Sequence, residues 1–313
     1  MVEISIIIIN YNSHYLLEAC LRSLFLQTKG INYEVIVVDN GSTESGIEQI
    51  LLEFPGVKLI KNSSGTGFAA VNNQGFAVAQ GKYILMLNND TVFIEDAITK
   101  VANFSGSRND EAIIGCRLLN EDRSYQVSIV DFDTIPNLFG ENLFLYKLFP
   151  WNKRLSKYHL NDPALENPIE VDAVKGAFLF VPKSILEKLN NLDERFYFYY
   201  EETDLCYRWK SMGGKVLYYP GAEIVHLGGA STDSDHWFKY RNQHISKIQF
   251  FQKHFNGVKF LTALGLHELG LLLRFPLYFI TGLFKRDSAL IKKAGFYLRT
   301  IFLYPRRNER VRG

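Results

Sequence analysis

Residues 4–9 are apolar at every position but Ser5, and similar runs recur at 34–38, 57–60 and 83–87. Between them lie amphipathic segments of helix length, at 15–26, 43–54 and 67–79. Strands that are apolar throughout must be covered on both faces. Their alternation with helices predicts an α/β fold, a Rossmann-like and mostly parallel sheet flanked by helices. A helix at 95–104 and a strand at 112–116 continue the pattern. The alternation then stops: residues 120–170 carry aromatics and prolines without a clear period and read as an excursion over the sheet. Order returns with a strand at 176–181, a helix at 201–212 ended by Gly213-Gly214, and a strand at 215–219. No internal repeat is visible.

The polar residues of the first half collect where each strand ends. Asn10-Tyr11-Asn12 follows the first strand, Asp39-Asn40-Gly41-Ser42 the second, the loop from Asn62 to Gly67 the third, and Asn88-Asn89-Asp90 the fourth. Ligands of doubly wound sheets bind beyond the carboxyl ends of the strands. Any one of these loops could be a turn or a helix cap; four on one edge point to a binding site. Asp39 could accept an N–H from a nucleotide base while Tyr11 stacks on it. Asp90 suits a divalent cation, Mg²⁺ or Mn²⁺, bridging a diphosphate, and Asn88 would point to the same side of an extended chain. Gly65-Thr66-Gly67 also fits the glycine fingerprint of nicotinamide oxidoreductases, but it follows the third strand rather than the first.

A second cluster lies at residues 199–206. If a helix begins near Glu201, then Glu202, Leu205, Cys206 and Trp209 share its inward face, and Glu202 is placed as a general base. Asp204 and Arg208 are spaced as an exposed i,i+4 pair, and helix-start preference accounts for Glu201. His226 ends the run 222–226; its weight as a ligand depends on whether the fold brings it near Asp90.

Composition narrows the class. The chain has 313 residues, 47% of them hydrophobic, enough core for one large domain or two modest ones. The net charge of +2 conceals an asymmetry: residues 258–313 hold 11 Lys and Arg against 3 Asp and Glu, leaving an acidic body with 24 basic and 30 acidic residues. A basic, apolar tail suits an anionic membrane surface better than nucleic acid. The apolar stretch 260–284 includes His267, Glu268, Arg274 and Pro276, so it reads as helices lying at a membrane surface rather than spanning it. A helical pair packed on the domain, or a dimer interface, is the alternative. The chain start reads as a buried strand rather than a secretory leader, and the three scattered cysteines as reduced residues of a cytoplasmic protein.

Taken together, the motifs resemble family 2 glycosyltransferases of the GT-A fold, especially the bacterial rhamnosyltransferase-like branch. The resemblance runs from about Ile4 to Gly229. It rests on the four loop motifs, on Gly67-Phe68-Ala69 with Asn72-Asn73-Gln74-Gly75, and on Lys175-Gly176-Ala177-Phe178. Further on it rests on Asp193-Glu194-Arg195-Phe196, Glu201-Glu202-Thr203-Asp204-Leu205 and His226-Leu227-Gly228-Gly229. It implies that Asp39 holds the base of a nucleoside diphosphate sugar, with Asn10, Tyr11, Asn12, Asn62, Gly67, Asn72, Asn88 and Asn89 around the donor. Asn88-Asn89-Asp90 stands where the family carries Asp-x-Asp, with Asp90 on the metal and His226 as a second ligand. Glu201-Glu202 stands for Glu-Asp, whose second carboxylate is the catalytic base. Asn88 and Glu202 are departures: one lowers the charge at the metal, the other moves the base out by one methylene.

The resemblance further implies single displacement with inversion, onto a saccharide or lipid-linked saccharide, in cell-surface polysaccharide synthesis. The donor would be dTDP-rhamnose or a UDP-hexose, and the location the inner face of the cell membrane. The expected organisation is a nucleotide-sugar half (1–119), an acceptor and catalytic half of the same domain (120–256) and a basic helical tail (257–313). A sugar nucleotidyltransferase would need a glycine- and basic-rich loop after the first strand, where none is seen. A non-catalytic nucleotide-sugar binder would need Asp39 but not Glu202 or Asp90.

Overall fold

The computed structural model describes residues 2–149, 152, 154–156, 160, 162–228, 236–301 and 303–304; Gly229 and the basic residues beyond 304 lie outside them. The first part alternates as expected: β1 (Ile4–Asn10), α1 (His14–Gln27), β2 (Tyr33–Asp39), α2 (Ile47–Leu52), β3 (Lys58–Lys61), α3 (Phe68–Val78), β4 (Tyr83–Asn88), β5 (Thr91–Phe93), α4 (Ala97–Gly106) and β6 (Ala112–Leu119). There follow β7 (Tyr125–Gln126), β8 (Ile129–Val130), α5 (Ile135–Asn142), α6 (Leu145–Leu148), β9 (Ile169–Glu170), β10 (Ala173–Val174), β11 (Phe178–Pro182), α7 (Lys183–Lys188), α8 (Glu201–Ser211) and β12 (Lys215–His226). Three helices, α9 (His236–His254), α10 (Gly257–Lys285) and α11 (Ser288–Thr300), complete the described chain.

The sheet order is β3-β2-β1-β4-β11-β6-β12-β5, with β7 on β6 and β9 on β12. β3, β2, β1 and β4 are parallel, β11 runs against β4 and β6, and β12 is parallel to β6. The apolar strands are explained by burial on both faces. Ile4, Ile6 and Ile8 pack with α1, α2 and α4 on one side; Ile7 and Ile9 pack with α3, α7 and α8 on the other. A third core, around Leu138, Phe196, Phe250 and Phe251, joins α5 and α9 to Ala263 of α10. The imidazoles of His244 and His267 are 3.0 Å apart, and His244 Nε2 donates to the Leu303 carbonyl at 2.9 Å. These bonds tie Leu303, just beyond α11, to α9 and α10.

Four details differ from the sequence expectation. The helix expected over 43–54 is only Ile47–Leu52, because Gly46 takes a left-handed conformation (φ 103°) just before it. The runs 215–219 and 222–226 form one strand, which absorbs the intervening Pro220-Gly221 as an irregularity in its pairing with β6. The region without a period holds α5, started by a capping box in which Thr134 and Asn137 exchange side-chain to backbone bonds. Asp204 is fully buried rather than an exposed helix pair, for reasons set out below.

Candidate active site

Strand register brings the loop residues together. Asn10 pairs with Asp39 across β1–β2, and Ile9 with Asn88 across β1–β4. Asp39 is buried and accepts from Asn10 Nδ2 (2.8 Å), Ser42 Oγ (2.6 Å) and the Ser42 amide (3.2 Å), which leaves one of the usual carboxylate acceptor positions. Asn10 and Asn89 are buried behind it: Asn89 Nδ2 donates to Asn10 Oδ1 and Ser13 Oγ. Asn12 Oδ1 accepts from the Thr43 and Glu44 amides, so it shapes the loop after β2. Asn72 donates to the Phe68 carbonyl one turn back, and Asn62 to Gln74. Tyr11, half exposed, is the ring free to meet a ligand at this edge.

Sequence reasoning missed His14. It is buried at the start of α1, with Nε2 4.0 Å from Asp39 Oδ1 and Nδ1 3.6 Å from Glu44 Oε2, and neither ring nitrogen makes a hydrogen bond. No local pattern marks it, because the carboxylates beside it come from the neighbouring strand and loop.

The rival glycine fingerprint is closed off. The Phe68 amide at the start of α3 donates to the Tyr197 carbonyl at 2.7 Å, and a Cβ on Gly67 would lie 3.2 Å from Tyr197 Cα. Gly67 admits a neighbouring segment of the protein where a pyrophosphate would need open space.

Asp90 and His226 meet because β12 runs antiparallel to β5, pairing His226 with Thr91. His226 Nε2 is 3.3 Å from Asp90 Oδ1 and 3.3 Å from Asn88 Nδ2. Gln126, also missed from the sequence, fixes the tautomer. Its Nε2 donates to Asn120 Oδ1 and the His226 carbonyl, so its Oε1 faces His226 Nδ1 at 2.7 Å and accepts that proton. In the neutral ring with the proton on Nδ1, His226 Nε2 is the acceptor that faces the Asn88 amide and lies beside the Asp90 carboxylate. Two donor atoms on adjacent corners of a six-coordinate ion with bonds of about 2.1 Å stand about 3.0 Å apart, so the pair fits a hard divalent cation. No group of three His, Cys, Asp or Glu suited to a metal is found among the described residues. Mg²⁺ beside a diphosphate is usually held by one or two carboxylates with phosphate and water; here one carboxylate and one imidazole nitrogen would serve, a donor set softer than all-oxygen.

Glu202 stands on the same edge. A Cβ on Gly176 would lie 3.5 Å from Glu202 Cγ, and the next carbonyl, of Ala177, accepts from the Asn88 amide at 3.1 Å. One dipeptide therefore joins the Glu202 side to the Asp90 side. The backbone entering α8 is strained: Tyr199 and Tyr200 both have positive φ, 70° and 71°. The Tyr200 hydroxyl donates to Asp133, Asp133 pairs with Lys247 of α9, and Ser246 donates to the Phe198 carbonyl.

Around Glu202 the expected assignments change. Glu201 is the more deeply buried of the pair, and desolvation together with the charge of Glu202 pushes its carboxyl well above the usual range. Asp204 accepts from Arg208, Lys253 and His254. Burial opposes its charge, but His254, Arg208 and Lys253 together hold its carboxyl below the usual range. Spacing within one helix could not reveal this, because α9 covers the side of α8 that would otherwise face water.

Similarity to known proteins bears on the family and the fold. The profile of Glycosyl transferase family 2 matches residues 5–163. A low-salt glycan biosynthesis hexosyltransferase of Haloferax volcanii is 23% identical over 83% of this chain and 80% of its own length. An N-acetylglucosaminyl-diphospho-decaprenol L-rhamnosyltransferase of Mycobacterium tuberculosis is 24% identical over 80% of this chain and 85% of its own. In structure, a mannosyltransferase of Pyrobaculum calidifontis, solved with GDP-Man and Mn2+, superposes with a TM-score of 0.58 at 14% identity, covering 95% of this chain and 85% of that one. With just over half of its length matched by the family profile, the chain belongs to glycosyl transferase family 2.

Proposed function

We propose that the protein is an inverting, divalent-cation-dependent glycosyltransferase that moves rhamnose from dTDP-rhamnose, or a hexose from a UDP-hexose, onto a saccharide or lipid-linked saccharide acceptor. The reaction belongs to cell-surface polysaccharide synthesis at the cytoplasmic face of the membrane. The observation that carries this reading is the convergence of Glu202 with Asp90 and His226 on one sheet edge, through Gly176-Ala177. The names of the two relatives, a hexosyltransferase and a rhamnosyltransferase acting on a diphospho-decaprenol sugar, support the choice of transferred sugar and of a lipid-linked acceptor.

In this reading Tyr11 stacks on the base, and Asp39, with His14 beside it, takes the base N–H. Asp90 and His226 Nε2 would hold a divalent cation, which would supply positive charge for the diphosphate leaving group. Glu202 accepts the proton of the acceptor hydroxyl as that oxygen attacks the anomeric carbon from the face opposite the diphosphate. Burial, and then the charge of Glu202, raise the Glu201 pKa well above the usual range, so Glu201 resists carrying a second negative charge beside Glu202. The strained turn at Tyr199-Tyr200, held by Asp133 and Ser246, fixes the direction in which α8 presents Glu202.

The test is transfer from dTDP-rhamnose and UDP-hexoses to saccharide acceptors by wild type, Glu202→Gln and Asp90→Ala. Both variants are expected to lose nearly all transfer, with Glu202→Gln retaining nucleotide affinity. Full transfer by Glu202→Gln would remove it as the base.

A further inference from the structure

The helix α10 divides into unlike sides. Toward the domain it buries Ala263, His267, Gly270 and Leu271. Arg274 on that side donates to the Glu141 carbonyl, Asn142 Oδ1 and the Gly270 carbonyl. About half a turn away, at 100° per residue, lie Leu261, Leu269, Leu272, Phe279, Ile280 and Leu283. All six are exposed, from 39% at Phe279 to 65% at Leu261. From Leu261 to Leu283 the row is about 33 Å long at 1.5 Å per residue, and the one charged residue at its margin is Glu268. Exposed apolar surface on that scale marks a contact.

Charge identifies the contact. Lys285 and Arg286 at the end of α10, and Lys292 and Arg299 on the following α11, are exposed. The tail from Val258 carries 11 basic and 3 acidic residues on an acidic body. Glu268, the one acidic residue within α10, has both carboxylate oxygens buried without a hydrogen bond, and desolvation pushes its pKa up to about 7. Little negative charge therefore opposes an anionic surface. The helix is long and apolar enough to cross a membrane. Arg274 and His267, however, fasten its middle to α5 and α9, so its two sides cannot both face lipid.

We propose that α10 and α11 form an in-plane anchor on an anionic lipid bilayer, with the row from Leu261 to Leu283 at the headgroup–acyl boundary and the basic residues against lipid phosphates. The inference deepens the lipid-linked acceptor reading, because such an anchor holds the catalytic edge near a membrane-borne substrate. Its physical basis is independent of the chemistry.

The experiment is flotation of the full chain with phosphatidylcholine vesicles, with or without phosphatidylglycerol, for wild type and Leu272→Glu/Ile280→Glu. Wild type is expected to float with the anionic vesicles and several-fold less with the neutral ones. The double variant is expected to lose at least tenfold of the bound fraction while keeping its melting temperature and its transfer to a water-soluble acceptor. Unchanged flotation of the variant, or wild type that stays unbound with anionic vesicles, would overturn the anchor. So would a wild-type dimer that the variant dissociates without any vesicle binding, which would make the row an interface between copies. Resistance to carbonate extraction from membranes would show a spanning helix instead. Flotation without donor use would refute only the catalytic reading, and donor use without flotation only the anchor.

Discussion

Replacing Gln126 with Leu isolates one hydrogen bond behind the candidate metal pair. In the native site Gln126 accepts the His226 Nδ1 proton at 2.7 Å, and its own amide is locked by Asn120 and the His226 carbonyl. Leu fills similar space but offers no acceptor. The Nδ1–H loses its partner, the other tautomer becomes accessible, and in that tautomer Nε2 has no lone pair for a cation. Loss of such an orienting partner typically weakens metal affinity by about 10–100-fold, or about 1.4–2.7 kcal/mol. The assay is Mn²⁺ titration of donor hydrolysis at saturating donor. Half-saturation should rise by about that factor, while kcat at saturating Mn²⁺ stays within a few-fold, because Glu202 and Asp90 are untouched. The melting temperature of the apo protein reports whether the variant folds. An unchanged half-saturation in a folded Gln126→Leu variant, alongside an inactive Asp90→Ala variant, would refute the role of His226 as a ligand.

Two further predictions concern what holds α8 and the tail in place. Asp204→Ala leaves Arg208, Lys253 and His254 without their shared buried carboxylate and should cost about 3–5 kcal/mol in urea unfolding; a loss below about 1 kcal/mol would mean the cluster is screened like a surface pair. Burial lowers the His244 pKa to about 4, and His267 shifts in the same direction. Below about pH 6.5 the unfolded chain therefore binds protons that the folded chain refuses. Stability should be full above pH 6.5 and fall by about 3 kcal/mol toward pH 4 on account of His244. His244→Gln should flatten that slope, and an identical slope in the variant would remove His244 as its cause.

Much of the sheet was legible in the sequence because Ile4–Asn10, Tyr33–Asp39 and Tyr83–Asn88 are apolar without alternation, a pattern that buried parallel strands require. The site edge was legible for a related reason, since the polar residues of those strands stand at their carboxyl ends. Side chains that depend on distant partners were not. Asp204 looked exposed because its partners Lys253 and His254 lie about fifty residues on, in α9. Gln126 and His14 gave no signal, because each matters only through a neighbour set by strand pairing. The box Thr134-x-x-Asn137 was present as a helix start, and the aperiodic residues around it hid it.

The most direct test of the central claim is thermal stabilisation by a panel of nucleoside diphosphates, with and without Mn²⁺. Stabilisation by dTDP or UDP that requires Mn²⁺ and disappears in Asp90→Ala is the predicted result. Stabilisation by NAD or NADP alone, indifferent to metal, would contradict it.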